Sequence, residues 1–136
     1  RFISNGVLVS TVEGAEREYS GYQASSSNTL SNVPMVVLVN GNSASASEIV
    51  AGALRNLNRG IIIGERTFGK GSVQELVSLS EGTSLKVTIA RWLTPEGVSI
   101  SEGGLTPDII VEFTEEDIEN REDVQFEKAV EILLNQ

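Results

Sequence analysis

Two apolar segments separated by a helical pattern constrain the fold of this chain more than any other feature. The first, PMVVLVN at 34–40, has no polar alternation, and GIIIGE at 60–65 is apolar in the same way. Continuous Val, Leu and Ile predict strands buried on both faces, as in a parallel sheet covered by helices. A strand, a helix and a second strand with short connections therefore predict an α/β fold with a right-handed crossover.

The segment between these strands carries apolar residues at helical spacing. They fall at i, i+3, i+4, i+7, i+8 and i+11, and they are Ala46, Ile49, Val50, Ala53, Leu54 and Leu57. This continuous stripe predicts an amphipathic helix that ends near Asn58 to Gly60.

The flanking segments predict hairpins, short strands and one further helix. The expected hairpins pair 6–14 with 17–25 and 72–79 with 84–93. Short strands are expected at 98–101 and 109–113. The last helix is expected from about Val124, with Asp123 as its N-cap and with an apolar face of Phe126, Ala129, Val130, Leu133 and Leu134. A buried parallel sheet that begins with a hairpin also predicts that part of the domain lies upstream of Arg1.

Two residue types are absent, and their absence narrows the possible chemistry. The 136 residues contain no histidine and no cysteine. A Ser-His-Asp triad, a thiol nucleophile, a disulfide framework and zinc sites built from these residues are excluded within this chain. Of the usual activated nucleophiles, Ser or Thr with a lysine or carboxylate base, or lysine itself, remains. We expect neither a cofactor nor a metal.

The net charge of −9 is concentrated in the last quarter of the chain. Residues 1–107 hold 8 basic and 9 acidic groups, whereas residues 108–136 hold 2 basic and 10 acidic groups. No basic stripe is present for phosphates, so nucleic-acid binding is not expected. The acidic end is read as a solvated face.

Three serines precede the central helix, and Ser45 is the candidate nucleophile among them. Unpaired backbone N–H groups and the helix dipole favour negative charge at this position, and the N–H of Ala46 is the nearest oxyanion donor. The competing interpretation is structural. Ser45-Ala-Ser-Glu48 matches a capping box, in which Ser45 caps the helix and Glu48 reaches back.

Lys70, between Gly69 and Gly71, is the candidate general base. A free lysine has a pKa near ~10.4, so a lysine that acts as a base at neutral pH has to be desolvated. The flanking glycines would let the backbone fold around a buried amine, and Gln74 would share a face with Lys70 in an extended strand. The competing interpretation is an ordinary solvated surface lysine.

Three runs of residues resemble a known family. They are VNGNSASASEIVAGAL, IIIGERTFGKGSVQ and LKVTIARWLTPEGVSI with GGLTPDIIV. They are similar to the carboxy-terminal processing proteases, also called tail-specific proteases, which are serine-lysine peptidases of the S41 type. The likeness is dense from about Val33 to Val111, and DVQFEKAVEILL also resembles the last helix of that family.

The resemblance implies a role for individual residues. The family's serine corresponds to Ser45, its lysine to Lys70, 25 positions later, and its orienting glutamine to Gln74. It implies a serine endopeptidase that cleaves peptide bonds near protein C-termini through a Ser45 acyl-enzyme. It also implies a ClpP/crotonase-like fold, substrates with extended C-terminal tails, and an extracytoplasmic setting such as the periplasm or cell envelope.

The family also implies parts that this chain does not contain. Its members carry an upstream PDZ domain and a glycine-rich loop that donates a second oxyanion amide. Residues 1–136 are therefore expected to be a single, incomplete domain, the C-terminal portion of a catalytic domain, with a homo-oligomer as one possible state. The alternative is a non-catalytic ligand- or peptide-binding module of the same fold, similar to the interphotoreceptor retinoid-binding proteins, or an inactive fragment.

Overall fold

The protein combines two β-sheets with three α-helices within the part that the structure describes. The computed structural model describes residues 2–25, 30–101 and 103–135. The strands are β1 (Leu8–Gly14), β2 (Tyr19–Gln23), β3 (Val36–Val39), β4 (Ile61–Gly64), β5 (Ser72–Ser78), β6 (Ser84–Leu93) and β7 (Ile109–Ile110). The helices are α1 (Ala46–Asn56), α2 (Glu115–Asn120) and α3 (Val124–Leu134). Across these described ranges, no helix has the length and apolar character that a membrane crossing requires.

The smaller sheet is parallel and has the strand order β3-β4-β7. Val36 to Val39 pair in register with Ile61 to Gly64, and α1 connects these two strands. The predicted strand–helix–strand unit is thus confirmed. The apolar core lies beneath this sheet and consists of Val39, Ala51, Ile62 and Leu105, with Val37 packed against it.

Burial of the two parallel strands differs from the prediction. Ile62 and Ile63 in β4 are 1% and 0% exposed, as expected for a strand covered on both faces. In β3, however, Leu38 is 41% exposed, so the prediction of burial on both faces is wrong for this strand. Helix α3 packs against β3 and β4, but within the described residues it leaves Leu38 open to solvent.

The inner face of α1 is rotated away from the predicted stripe. Its buried residues are Glu48, Ala51, Gly52, Ala53 and Leu54. Ala46 and Val50 of the predicted stripe are exposed. A Cβ on Gly52 would lie 3.3 Å from Thr94 and 3.5 Å from Leu105, so the small residues of α1 are the ones in close contact. Close packing of the backbone favours a face that carries small residues over one that carries the larger Ile and Val side chains.

The larger sheet is antiparallel, with the order β2-β1-β6-β5. Both predicted hairpins are present, and β1 joins them by pairing with β6. The β5–β6 register shifts between Val73 and Gln74, because Val73 lies opposite Ala90 but Gln74 lies opposite Thr88. One extra residue on β6 therefore interrupts the simple alternation of side chains that the sequence predicts for this strand.

The segment after β6 is less regular than predicted. The strand expected at 98–101 is reduced to a single bridge between Leu93 and Ser99, and the strand expected at 109–113 is the shorter β7. Helix α2 was not predicted from the sequence; it is acidic, and its N-cap Thr114 accepts a hydrogen bond from the Asp117 amide. Because α2 has no apolar periodicity, its sequence reads as a solvated segment.

Helix α3 begins as predicted, but its apolar face is mostly open. Asp123 accepts a hydrogen bond from the Phe126 amide at 2.9 Å, which confirms the N-cap. Ala129 is buried, whereas Phe126 is 57% and Leu134 is 80% exposed. The periodicity therefore located the helix correctly without locating its contact face.

Candidate active site

Ser45 lies at the turn between β3 and α1 in a strained backbone conformation. Its φ is 52° and its ψ is −115°, and it is the N-cap residue of the helix. A non-glycine residue in such a sparsely populated region costs roughly 1–3 kcal/mol, and such residues cluster at active sites. A serine on a strained strand-to-helix turn is also the device that exposes the nucleophile of α/β-hydrolases.

The structure distinguishes Ser45 from the serine two positions before it. The Ser43 hydroxyl accepts a hydrogen bond from the Asn40 amide at 3.1 Å, and the Ser43 amide donates to the Asn40 carbonyl at 2.9 Å. Ser43 therefore closes the turn that follows β3. Ser45 makes no such bond, and its hydroxyl has no hydrogen-bond partner among residues 2–25, 30–101 and 103–135.

The capping-box arrangement of the competing interpretation is present, although the Ser45 hydroxyl makes no cap hydrogen bond. Glu48 reaches back, since its Oε2 accepts a hydrogen bond from the Ser45 amide at 2.9 Å. The Ser45 side chain faces the Glu48 amide as in a capping box, but that amide donates to the Ser45 carbonyl oxygen at 3.0 Å. Because the hydroxyl is not engaged in a cap hydrogen bond, it remains available for chemistry.

Glu48 is the centre of a buried hydrogen-bond network that the sequence analysis did not identify. Its side chain is 0% exposed. Its Oε1 accepts from the Thr67 hydroxyl at 2.5 Å and the Gly69 amide at 2.7 Å, and its Oε2 accepts from the amides of Ser45 and Lys70, both at 2.9 Å. The available signal was a glutamate inside an otherwise apolar helical segment, since a buried carboxylate requires such partners.

The backbone of Lys70 is next to the serine turn, but its side chain is not buried. The backbone nitrogens of Ser45 and Lys70 both donate to Glu48 Oε2 at 2.9 Å, so the two nitrogens lie no more than twice that distance apart. The Lys70 side chain is exposed. It forms no hydrogen bond or ion pair with any residue that the structure describes. The prediction of a buried amine is therefore wrong for this structure.

The glycines beside Lys70 have a different role from the predicted one. A Cβ on Gly69, whose φ is +88°, would lie 2.7 Å from the Gly104 nitrogen. A Cβ on Gly71 would lie 2.9 Å from Ile100 and from Ser101. Both glycines allow the lysine loop (residues 69–71) to pack against Ile100, Ser101, Gly103 and Gly104, and they do not enclose the amine.

Gln74 is exposed on β5 and does not contact Lys70. Its Nε2 donates to the Thr88 hydroxyl at 3.3 Å. Strand β5 begins at Ser72, so Lys70 precedes the regular strand in which the predicted alternation would apply. Within the described part of the chain, the structure does not bring the lysine and glutamine side chains together.

The Ala46 amide is open, as an oxyanion donor requires. Ala46 is the first residue of α1, where an N–H has no intrahelical acceptor. This N–H makes no hydrogen bond to the described residues, whereas the neighbouring Ser45 N–H is occupied by Glu48. A developing negative charge beside Ser45 would thus meet the Ala46 N–H and the positive end of the helix dipole.

The fold and this turn define an α/β protein with a serine in a strained backbone conformation at the start of a helix. The chain belongs to peptidase family S41, whose family model matches residues 1–111. This confirms the resemblance drawn from the sequence.

Proteins similar to this chain are named as C-terminal processing proteases. It is 46% identical over 111 residues to a carboxy-terminal-processing protease of Bartonella bacilliformis, covering 82% of this chain and 26% of that protein. It is 48% identical over 103 residues to a chloroplastic C-terminal processing peptidase of Tetradesmus obliquus, covering 76% and 22%. The chain thus spans about a quarter of the length of these curated relatives.

Solved structures confirm the fold class. The photosystem II D1 C-terminal processing protease matches with a TM-score of 0.74 and 41% identity, over 82% of this chain and 29% of that one. The tricorn protease matches in fold with a TM-score of 0.63 and 23% identity, over 87% of this chain and 11% of that one. The predicted α/β, ClpP-like architecture is therefore confirmed.

Proposed function

We propose that this chain supplies the nucleophile and the general base of a serine endopeptidase that cleaves near protein C-termini. The observation that carries the proposal is the Ser45 turn, with its strained backbone, its free hydroxyl and its position at the start of α1. The lysine loop supports it, since the Lys70 amide is tied to the same Glu48 oxygen as the Ser45 amide. On this proposal, residues 1–136 form one portion of the catalytic domain.

The proposed reaction proceeds through an acyl-enzyme. Neutral Lys70 takes the proton from the Ser45 hydroxyl as its oxygen attacks the scissile carbonyl, and the Ala46 N–H stabilises the oxyanion. Lys70 then protonates the leaving amine, and it activates the water that releases the acyl group. Gln74 orients Lys70 in the reacting state, which requires both exposed side chains to change rotamer.

The exposed amine sets a requirement on the bound state. An amine loses its proton more readily where water is excluded. We therefore propose that an extended peptide tail lies across the Lys70 loop and covers the amine during the reaction. The backbone of such a tail pairs along a strand edge, and β5, an edge strand, follows Lys70 directly.

The wider setting is proposed from the relatives. Their names describe processing of C-termini, and two of those reported above act in chloroplasts or on photosystem II D1. For this protein we propose protein substrates with accessible C-terminal tails, an extracytoplasmic location, a PDZ domain and a second oxyanion donor outside residues 1–136, and a homo-oligomer as one possible assembly.

One observation favours the alternative of a non-catalytic binding module. An apolar groove of about 270 Å³ runs along α1 and the first strand. Its apolar lining residues are Phe2, Ile3, Val9, Ala24, Ile49, Val50, Ala53 and Leu54. Together with the exposed Lys70, this groove fits a protein that binds an apolar ligand or side chain without cleaving it.

Labelling with a serine-reactive fluorophosphonate separates the two functions. In the full-length protein that contains this chain, we expect labelling of the wild type and of Ser47→Ala. Ser47 lies two positions after Ser45, in α1, so this variant is the matched control for removing a serine hydroxyl. Ser45→Ala and Lys70→Ala should abolish both labelling and cleavage of a peptide tail. Unchanged cleavage in Ser45→Ala would show that the proposed nucleophile is wrong, and no labelling of a folded wild type would favour the binding module.

A further inference from the structure

We propose that Glu48 is the positioning residue of this site and that Thr67 fixes Glu48 in turn. This inference rests on the proposed roles of Ser45 and Lys70. Through its two carboxylate oxygens, Glu48 joins the serine turn on one side to the lysine loop on the other. It touches neither the scissile bond nor the side chains that react, so it acts on the chemistry only through the geometry it imposes.

The hydrogen bonds to Glu48 occupy both oxygens of its carboxylate. Three of its four donors are backbone N–H groups, from Ser45, Gly69 and Lys70, which cannot accept a hydrogen bond. Each oxygen receives two donors, which matches the acceptor-only inventory of an ionised carboxylate. Burial of this charge at 0% exposure is sustained by these four hydrogen bonds.

Thr67 extends the connection to Leu105. Its hydroxyl donates to Glu48 Oε1 at 2.5 Å and accepts from the Leu105 amide at 2.7 Å. The Thr67 amide donates to the Leu105 carbonyl at 3.0 Å, and Thr67 is 5% exposed. The hydroxyl therefore holds the carboxylate in one orientation, with one oxygen toward Gly69 and the other toward the shared pair of amides.

The strain at Ser45 makes this connection matter for catalysis. A residue held in a sparsely populated conformation stays there only if its surroundings fix it in several ways. The Ser45 N–H bond to Glu48 is one such constraint, and it acts directly on the strained residue. When it is lost, the turn can relax and move the hydroxyl. A displacement of about 1 Å at a reacting group can cost on the order of 100-fold in rate.

The substitution Glu48→Gln tests the arrangement with little change in volume. A glutamine has one acceptor oxygen and one NH₂ group, which only donates. If the NH₂ replaces Oε2, it opposes the amides of Ser45 and Lys70. If it replaces Oε1, it opposes the Gly69 amide. In either orientation at least one backbone N–H loses its acceptor, and the two segments are no longer held together.

The measurement is steady-state cleavage of a peptide tail by the full-length protein, normalised to the folded fraction. For Glu48→Gln we expect kcat to fall on the order of 100-fold while KM stays within about threefold, because the substrate contacts are not changed. Glu119→Gln, at an exposed position on α2, is the matched control and should leave both constants unchanged.

A pair of variants at Thr67 separates positioning from folding. Thr67→Ser keeps the hydroxyl and should retain kcat within about threefold, whereas Thr67→Val keeps the shape and should lose on the order of tenfold. An inactive Ser45→Ala together with wild-type kcat in folded Glu48→Gln would overturn this inference and leave the proposed function intact. Losses in Glu48→Gln that are explained entirely by the unfolded fraction would also overturn it. An active Ser45→Ala would instead overturn the proposed function.

Discussion

Ser45→Gly should stabilise the protein while it removes the candidate nucleophile. Ser45 has a φ of 52° and a ψ of −115°, a conformation that costs a residue with a Cβ roughly 1–3 kcal/mol. Glycine adopts it without this cost but loses roughly 0.5–1 kcal/mol through the entropy of the unfolded chain. Because the hydroxyl makes no cap hydrogen bond, its removal costs little, and a net gain of about 1 kcal/mol remains.

Two other variants isolate the strain from the remaining effects. Ser45→Ala removes the hydroxyl but keeps the Cβ, so its stability should stay within about 0.5 kcal/mol of wild type. Ala44→Gly introduces a glycine next door at a position without a positive φ. It should destabilise by roughly 0.4–1 kcal/mol, because it pays the entropic cost and relieves no strain.

Urea unfolding gives the comparison directly. With an m-value of about 2 kcal/mol/M, a gain of about 1 kcal/mol raises the midpoint by about 0.5 M, and m should be the same for all variants. If Ser45→Gly is no more stable than Ser45→Ala, the backbone of Ser45 stores no strain. The turn would then lack the backbone strain from which its functional role is inferred.

Three further predictions concern packing, pH and capping. Gly71→Ala places a Cβ 2.9 Å from Ser101 and should cost roughly 1–3 kcal/mol in thermal unfolding; a neutral result would contradict the close packing of the lysine loop. The hydrogen bond from Arg91 lowers the pKa of Glu13 below its ordinary value near 4.5. The Glu13 carboxylate therefore stabilises the fold at pH values above 4.5, and this stabilisation is lost as the pH falls through the lowered pKa. Wild type should therefore exceed Glu13→Gln in urea stability at neutral pH, by a margin that shrinks in acid; a constant margin would contradict this. Asp123→Ala should cost about 1 kcal/mol in urea unfolding and Asp123→Asn much less, whereas equal losses would exclude a capping role.

The regular elements were predictable because their signals are local. The apolar runs at 34–40 and 60–65 and the helical spacing between them fixed β3, α1 and β4, and the cap at Asp123 fixed the start of α3. The contact faces were not predictable in the same way. The face of α1 that packs inward depends on Gly52 meeting Thr94 and Leu105, residues more than 40 positions away, and no periodicity within the helix contains that information.

The same distinction applies to the candidate site. Sequence spacing and resemblance pointed to Ser45 and Lys70 as candidate site residues, and their backbone amides bind the same Glu48 oxygen. The connection between them is Glu48. It accepts hydrogen bonds from Thr67, Gly69 and Lys70, which lie 19, 21 and 22 positions later along the chain. Within residues 45–48, a capping box is a sufficient explanation for a glutamate at position 48. Only the fold shows that the same carboxylate also binds the lysine loop.

Glu48 binds Lys70 through the backbone amide and not through the side-chain amine. A carboxylate paired with the amine itself would favour the charged ammonium form and oppose proton abstraction. Within the described residues, Lys70 has no such ion pair. The four hydrogen bonds already occupy both Glu48 oxygens, so the carboxylate has little capacity left to accept one from the amine. Glu48 therefore holds the lysine loop beside the serine through backbone amides, without an ion pair to the amine.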